Sequence, residues 1–74
     1  MDKFAERLKE LRAEKGISQL QLAKETGLGR SALYYWENGL KIPNAQAVII
    51  LARYFEVSTD YLLGEKDYEI KRNG

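Results

Sequence analysis

Apolar residues recur at intervals of three and four along most of this chain, and no stretch longer than a few residues alternates apolar with polar. The first pattern marks helices with one buried face and the second marks strands, so the expected fold class is all-α. Phe4, Leu8 and Leu11 fall at i, i+4 and i+7 and form one stripe. Lys3, Glu6, Arg7, Lys9, Glu10 and Glu14 interleave with it as a solvated face. Glycines at 16, 27, 29, 39 and 64 and the single proline, Pro43, divide the chain into five helix-length pieces. Gly16 stands where a left-handed C-terminal cap is wanted, with Ile17 placed to close it by an apolar contact. Ser18-Gln19-Leu20-Gln21 reads as a capping box, in which the Ser18 hydroxyl takes an amide proton and Gln21 reaches back. The second helix it opens runs to about Thr26, and Gly27 supplies the positive φ of a tight turn. A third helix is predicted from Arg30 to Glu37, burying Leu33 and Trp36. Pro43 excludes helix just upstream of itself. Asn44 caps a fourth helix, to about Phe55, whose inner stripe is Val48, Leu51, Ala52 and Phe55. Ser58 caps a last one, Thr59 to Leu63, stopped by Gly64.

Seventy-four residues hold one domain with one small core. Such a core supplies about 3–5 kcal/mol without staples, so every cap matters. The domain is expected over 1–64. The remainder, 65–74, alternates acids and bases around Tyr68 and Ile70 and reads as a disordered tail or a dimerisation arm. Twelve Lys and Arg nearly cancel eleven Asp and Glu, leaving +1. That total alone counts against a nucleic-acid binder, although a local basic face remains open. His and Cys are both absent, which removes the commonest general base and the thiolate metal ligand. The acids lie scattered beside Lys and Arg on outer helix faces, so neither an enzyme nor a bound metal or cofactor is expected. No apolar run is long enough to span a bilayer. The opening residues, Met1-Asp2-Lys3-Phe4-Ala5-Glu6, lack the character of a signal peptide, and a cytoplasmic location is expected.

The informative feature is a spacing. Ala23 lies four residues before Gly27, and Leu33 and Trp36 lie six and nine after it. Two short helices crossing over a tight turn need a small residue at the crossing, glycine in the turn and apolar residues on the inner face of the second helix. Gly29, Arg30, Ser31, Tyr34 and Tyr35 are then left on an outer face free to enter a groove. Many small helical hairpins would meet half of these conditions.

The ordered succession is more specific. Phe4 through Arg12, then Ser18-Gln19, Leu22-Ala23, Gly27, Leu33, Trp36-Glu37-Asn38-Gly39, Pro43 and Val57-Ser58 with Asp60-Tyr61-Leu62-Leu63-Gly64, resembles the phage-repressor/Cro (XRE-type) family of helix-turn-helix regulators over about residues 2 to 64. The resemblance implies a compact five-helix lambda-repressor-like domain with the second helix across the DNA backbone and the third in the major groove. It also implies a homodimer on paired half-sites of a double-stranded operator, acting as a transcriptional regulator of the repressor kind. Gln19 would contact a phosphate and brace the third helix. Arg12 and Glu37 would form a structural salt bridge between the first helix and the end of the third. Asn38 and Lys41 would follow the backbone as phosphate contacts.

In that docking mode Arg30 and Ser31 lie nearest the base edges. A guanidinium fork matches O6 and N7 of guanine, and the Ser31 hydroxyl suits a base edge or a phosphate. Tyr35 shares their face, with its ring placed for a thymine methyl, while Tyr34 is rotated by about 100° and flanks the contact. Two positions depart from the family. Gly29 stands where Ser or Thr usually caps the third helix, and Leu20 stands at a commonly polar site. The rival reading is a protein-interaction module, such as an antitoxin or anti-repressor, contacting its partner through Leu20, Tyr34 and Tyr35. No small-molecule pocket is evident from the sequence.

Overall fold

Helix α1 (Asp2–Lys15) opens a computed structural model that describes residues 2–67; the expectations for 68–74 lie outside the described residues. It is followed by α2 (Gln19–Thr26), α3 (Arg30–Glu37), α4 (Ala45–Phe55) and α5 (Thr59–Leu63), matching the five predicted helices. Phe4, Leu8 and Leu11 of α1 meet Leu22, Leu33, Trp36, Ala47, Val48, Leu51, Ala52, Val57 and Leu62 in one buried cluster. Each helix gives its periodic apolar residues to this cluster and, Arg7 and Glu37 excepted, turns its charges outward, the arrangement that stabilises short helices too weak to stand alone.

The caps do much to set the helix limits. Gly16 adopts φ 72°, and the Ile17 amide donates to the Arg12 carbonyl at 3.3 Å, with Ile17 packed against the core. Ser18, Asn44 and Ser58 each accept an amide proton from the residue three further on, at 3.1, 2.8 and 2.9 Å. The capping box is only half made, because the Gln21 side chain donates forward to Glu25 at 2.5 Å instead of reaching back. Reaching back, Gln21 would accept the Ser18 amide proton in a neutral bond, whereas donating to a carboxylate one turn along makes a stronger, charge-assisted one. Glu25 in turn accepts from the Tyr54 hydroxyl, which ties α2 to α4. These bonds, the one from Tyr54 foremost, lower the Glu25 pKa, and the Tyr54 phenol is pushed up to about 12.

Two expectations are corrected. Phe55 is only partly buried: it ends α4, packs against the core and edge-on against Tyr54 at 4.9 Å, while Ala47, Val48, Leu51 and Ala52 are the buried part of the stripe. Arg7, expected on the solvated face, is buried. Its guanidinium donates at 2.6 Å to the carbonyls of both Tyr61 and Lys66, lies 4.2 Å over the Tyr61 ring, and stands 3.7 Å from Asp67. The reason is that α5 and the chain after it cross this side of α1. Lys66 and Asp67, in the segment expected to be a tail, thus lie against Arg7 of α1.

Gly64 marks the same crossing. It has φ 87°, and a Cβ built there would sit 2.4 Å from the Cβ of Lys3. Gly64→Ala combines a left-handed backbone with a clash against a helix and is expected to cost about 2 kcal/mol in urea denaturation. Gly16→Ala, equally left-handed but with open space around it, should cost about half as much. Equal losses at the two positions would show that the approach to Lys3 carries no energy.

Candidate nucleic-acid interface

Helix α3 is oriented from its inner side. Leu33 is fully buried and Trp36 nearly so, which fixes the rotation of the helix on the core. The third anchor is Glu37, 3% exposed, whose carboxylate receives the Arg12 guanidinium in a two-pronged pair at 2.6 and 2.9 Å. Arg12 also donates to the Ile17 carbonyl at 2.9 Å, so one side chain joins α1, the turn before α2 and the end of α3. The bond to Glu37 raises the Arg12 pKa above its ordinary value, against the opposing pull of burial. Gln19, the first residue of α2, donates to the same carboxylate at 3.2 Å. The two helices flanking the turn are thus cross-linked by a buried acid that sequence spacing could only suggest.

With that side committed, the opposite side of α3 faces solvent. Gln19, Arg30, Ser31, Tyr34 and Tyr35 line one open depression of about 350 Å³. Five of the eight residues expected to meet DNA are therefore brought together on one surface. The Tyr34 and Tyr35 rings meet edge-on, 5.9 Å apart at 69°. The Lys41 ammonium lies 4.7 Å above the Tyr35 ring, so the loop after α3 folds back over its aromatic end. No helical period relates positions 35 and 41, and sequence reasoning missed this contact.

Of the other three residues, Lys41 is thus placed beside the depression, and Asn38 and Gly29 have separate tasks. Asn38 ends α3, and its side-chain amide donates to the Tyr34 carbonyl at 2.8 Å, which engages part of its hydrogen-bonding capacity. Gly29 precedes α3 with an ordinary backbone, φ −69° and ψ 138°, and offers no side-chain cap. A Cβ there would meet only Ala32 at 3.9 Å. Gly29→Ser should therefore fit, supply the missing cap and stabilise the fold by about 0.5 kcal/mol, or roughly 2–4 °C in a thermal melt; a lower melting temperature would mean that the turn before α3 requires glycine.

The eight residues include two cations, Arg30 and Lys41, and no acid, which leaves ten cations against eleven acids elsewhere. The near-neutral total thus hides a positive face. A second depression of about 340 Å³, lined by Ala5, Glu6, Lys9, Glu10, Ala13 and Glu37, carries three acids to one lysine and would repel phosphates. Among the described residues, no group of three or more His, Cys, Asp or Glu could hold a metal ion, and no helix is long and apolar enough to cross a membrane.

A family model described as helix-turn-helix matches residues 8–62. Over 64 residues the chain is 34% identical to the HTH-type transcriptional activator BcrR of Enterococcus faecalis, covering 86% of this chain and 31% of that protein. Over 70 residues it is 37% identical to the HTH-type transcriptional regulator ImmR of Bacillus subtilis (strain 168), covering 95% and 54%. Among solved structures it is similar to the restriction-modification controller protein C.AhdI from Aeromonas hydrophila, with a TM-score of 0.75 and 36% identity over 82% of this chain and 92% of that one. The chain spans from 31% to 57% of the length of the curated relatives it matches first.

Proposed function

Because this chain belongs to the helix-turn-helix family of the phage-repressor/Cro type, we propose that it binds double-stranded DNA sequence-specifically and regulates transcription. Helix α3 enters the major groove, and α2 crosses the backbone beside it. The supporting observation is the acid-free depression formed by Gln19, Arg30, Ser31, Tyr34 and Tyr35 on the one side of α3 that the core leaves uncovered. Arg30 and Ser31 read base edges, and Tyr35 lies against them in the groove. Gln19, Asn38 and Lys41 hold phosphates, which fixes register without conveying sequence. Two copies bind as a symmetric dimer, placing their third helices in successive major grooves about 34 Å apart. Occupancy represses where the operator overlaps the polymerase site. One relative is described as an activator, which fits a sign of regulation set by operator position and not by this domain. The working location is the cytoplasm, where the operator is.

Selection of binding sites from random duplexes with the purified chain tests this reading. A palindromic consensus with half-sites one helical turn apart is expected. Arg30→Ala should relax preference at one base position by about 1–3 kcal/mol. Unchanged discrimination at every position would remove Arg30 from base reading, and no enrichment at all would end the proposal.

A further inference from the structure

The depression on α3 has two chemically different walls. Its lining combines polar groups, the Arg30 guanidinium, the Gln19 amide and the Ser31 hydroxyl, with two tyrosine rings, Tyr34 51% and Tyr35 36% exposed. Among the described residues Arg30 makes no ion pair and no side-chain hydrogen bond, so its five N–H donors stand ready. The aromatic wall, by contrast, is already held: Tyr34 packs edge-on against Tyr35, and Lys41 sits over the Tyr35 ring. Rings fixed before binding lose little freedom on contact, so a small apolar group laid on them is bound at low cost.

The major-groove edges of the four bases sort against these walls. Adenine, N7 beside an amino donor, would want an amide, and the Gln19 amide nitrogen is already given to Glu37. Guanine offers two acceptors side by side, O6 and N7, which match a guanidinium fork. Thymine alone offers an apolar group, its 5-methyl, next to the acceptor O4. Cytosine presents an amino donor, and no carboxylate lines the depression to receive it. Arg30 and Tyr34 are four residues apart, about 6 Å along the helix axis, whereas successive base pairs stack about 3.4 Å apart. The two walls therefore meet bases that are neighbours or one pair apart.

We infer that the depression is a composite reader of one guanine and one thymine within two base pairs of each other, the guanine on Arg30 and the thymine methyl on the Tyr34–Tyr35 wall. This rests on the DNA-binding reading above and specifies its half-site. Lys41 is then a positioning residue, acting through Tyr35 as well as on phosphate.

The test uses a selected duplex and single-atom-group changes made in one half-site. Replacing each thymine by uracil removes only the methyl, and replacing each guanine by 7-deazaguanine removes only N7. For the wild-type chain, one thymine-to-uracil change is expected to weaken binding about fourfold, the factor for withdrawing one methyl-sized apolar group from a contact. One 7-deazaguanine change no more than two pairs away should weaken it about tenfold. The uracil effect should vanish in Tyr35→Ala or Tyr34→Ala, and the deazaguanine effect in Arg30→Ala; all three positions are exposed, and thermal melts establish that the variants fold. The inference is overturned if no uracil substitution matters, if the methyl effect persists in both tyrosine variants, or if the sensitive bases lie farther apart. Methyl-insensitive binding to a selected duplex sinks only this inference, whereas a chain that binds no duplex sinks the DNA-binding reading as well.

Discussion

Arg12→Ala is expected to remove about 3–5 kcal/mol from the stability of the fold, toward the lower end because the Arg12 side chain is 21% exposed. The loss comes less from the pair's attraction than from what remains. Glu37 would be left at a site 3% exposed with, among the described residues, only the Gln19 amide as a side-chain partner. A core of this size supplies about as much stability as the substitution removes, so the variant should be largely unfolded at 37 °C. A control separates the two explanations. Replacing both members by apolar residues, Arg12→Met with Glu37→Leu, removes the stranded acid and should restore a large part of the loss. Urea denaturation of the three proteins checks this. An Arg12→Ala loss below 1 kcal/mol would mean that the pair is worth no more than a surface contact. The paired variant is also informative about function, since α3 would keep its apolar anchors but lose the buried acid that fixes its end to α1 and α2. Reduced operator affinity in a protein of recovered stability would place the pair's value in orientation.

Raising salt from 50 to 200 mM should weaken operator binding about a hundredfold. Each released counterion follows a phosphate neutralised by Lys or Arg, and log affinity falls with log salt at about 0.9 per phosphate. The proposed face carries only Arg30 and Lys41; a guanidinium on a base edge still lies within the field of the flanking phosphates and displaces counterions as Lys41 on a phosphate does, hence four cations in a dimer and a slope of about −3 to −4. This is shallow for a DNA-binding dimer, because polar and aromatic contacts replace charge across much of the face. Lys41→Ala should flatten the slope by about 2, one phosphate in each subunit. Titration of a labelled operator at several salt concentrations reads both values. A slope near zero would point instead to a protein-docking module built on the exposed Leu20, Tyr34 and Tyr35. A slope unchanged by Lys41→Ala would take Lys41 off the backbone.

Most of the fold was legible because helix formation is local. Caps at Ser18, Asn44 and Ser58 act over three residues, the Gly16 and Gly64 stops act within a turn, and the apolar stripes repeat within a window of eleven. The half-made capping box shows the limit even there, since Gln21 had two partners within reach and the sequence does not rank them. Leu33 and Trp36 gave the buried side of α3 directly, and so its open side. Arg7 was misread for the opposite reason. Its partners lie 54 and 59 residues away, and nothing near position 7 shows that α5 will cross there.

The chain's own pattern therefore determined five helices, their limits and the outward face beginning at Arg30, because each depends on neighbours within two turns. Only the packed structure decided that Gln19 and Arg12 share one buried carboxylate, that Lys41 covers Tyr35, and that Arg7 holds the end of α5. These contacts join residues far apart in sequence or across a loop, and their existence depends on how the helices cross, which no local period encodes.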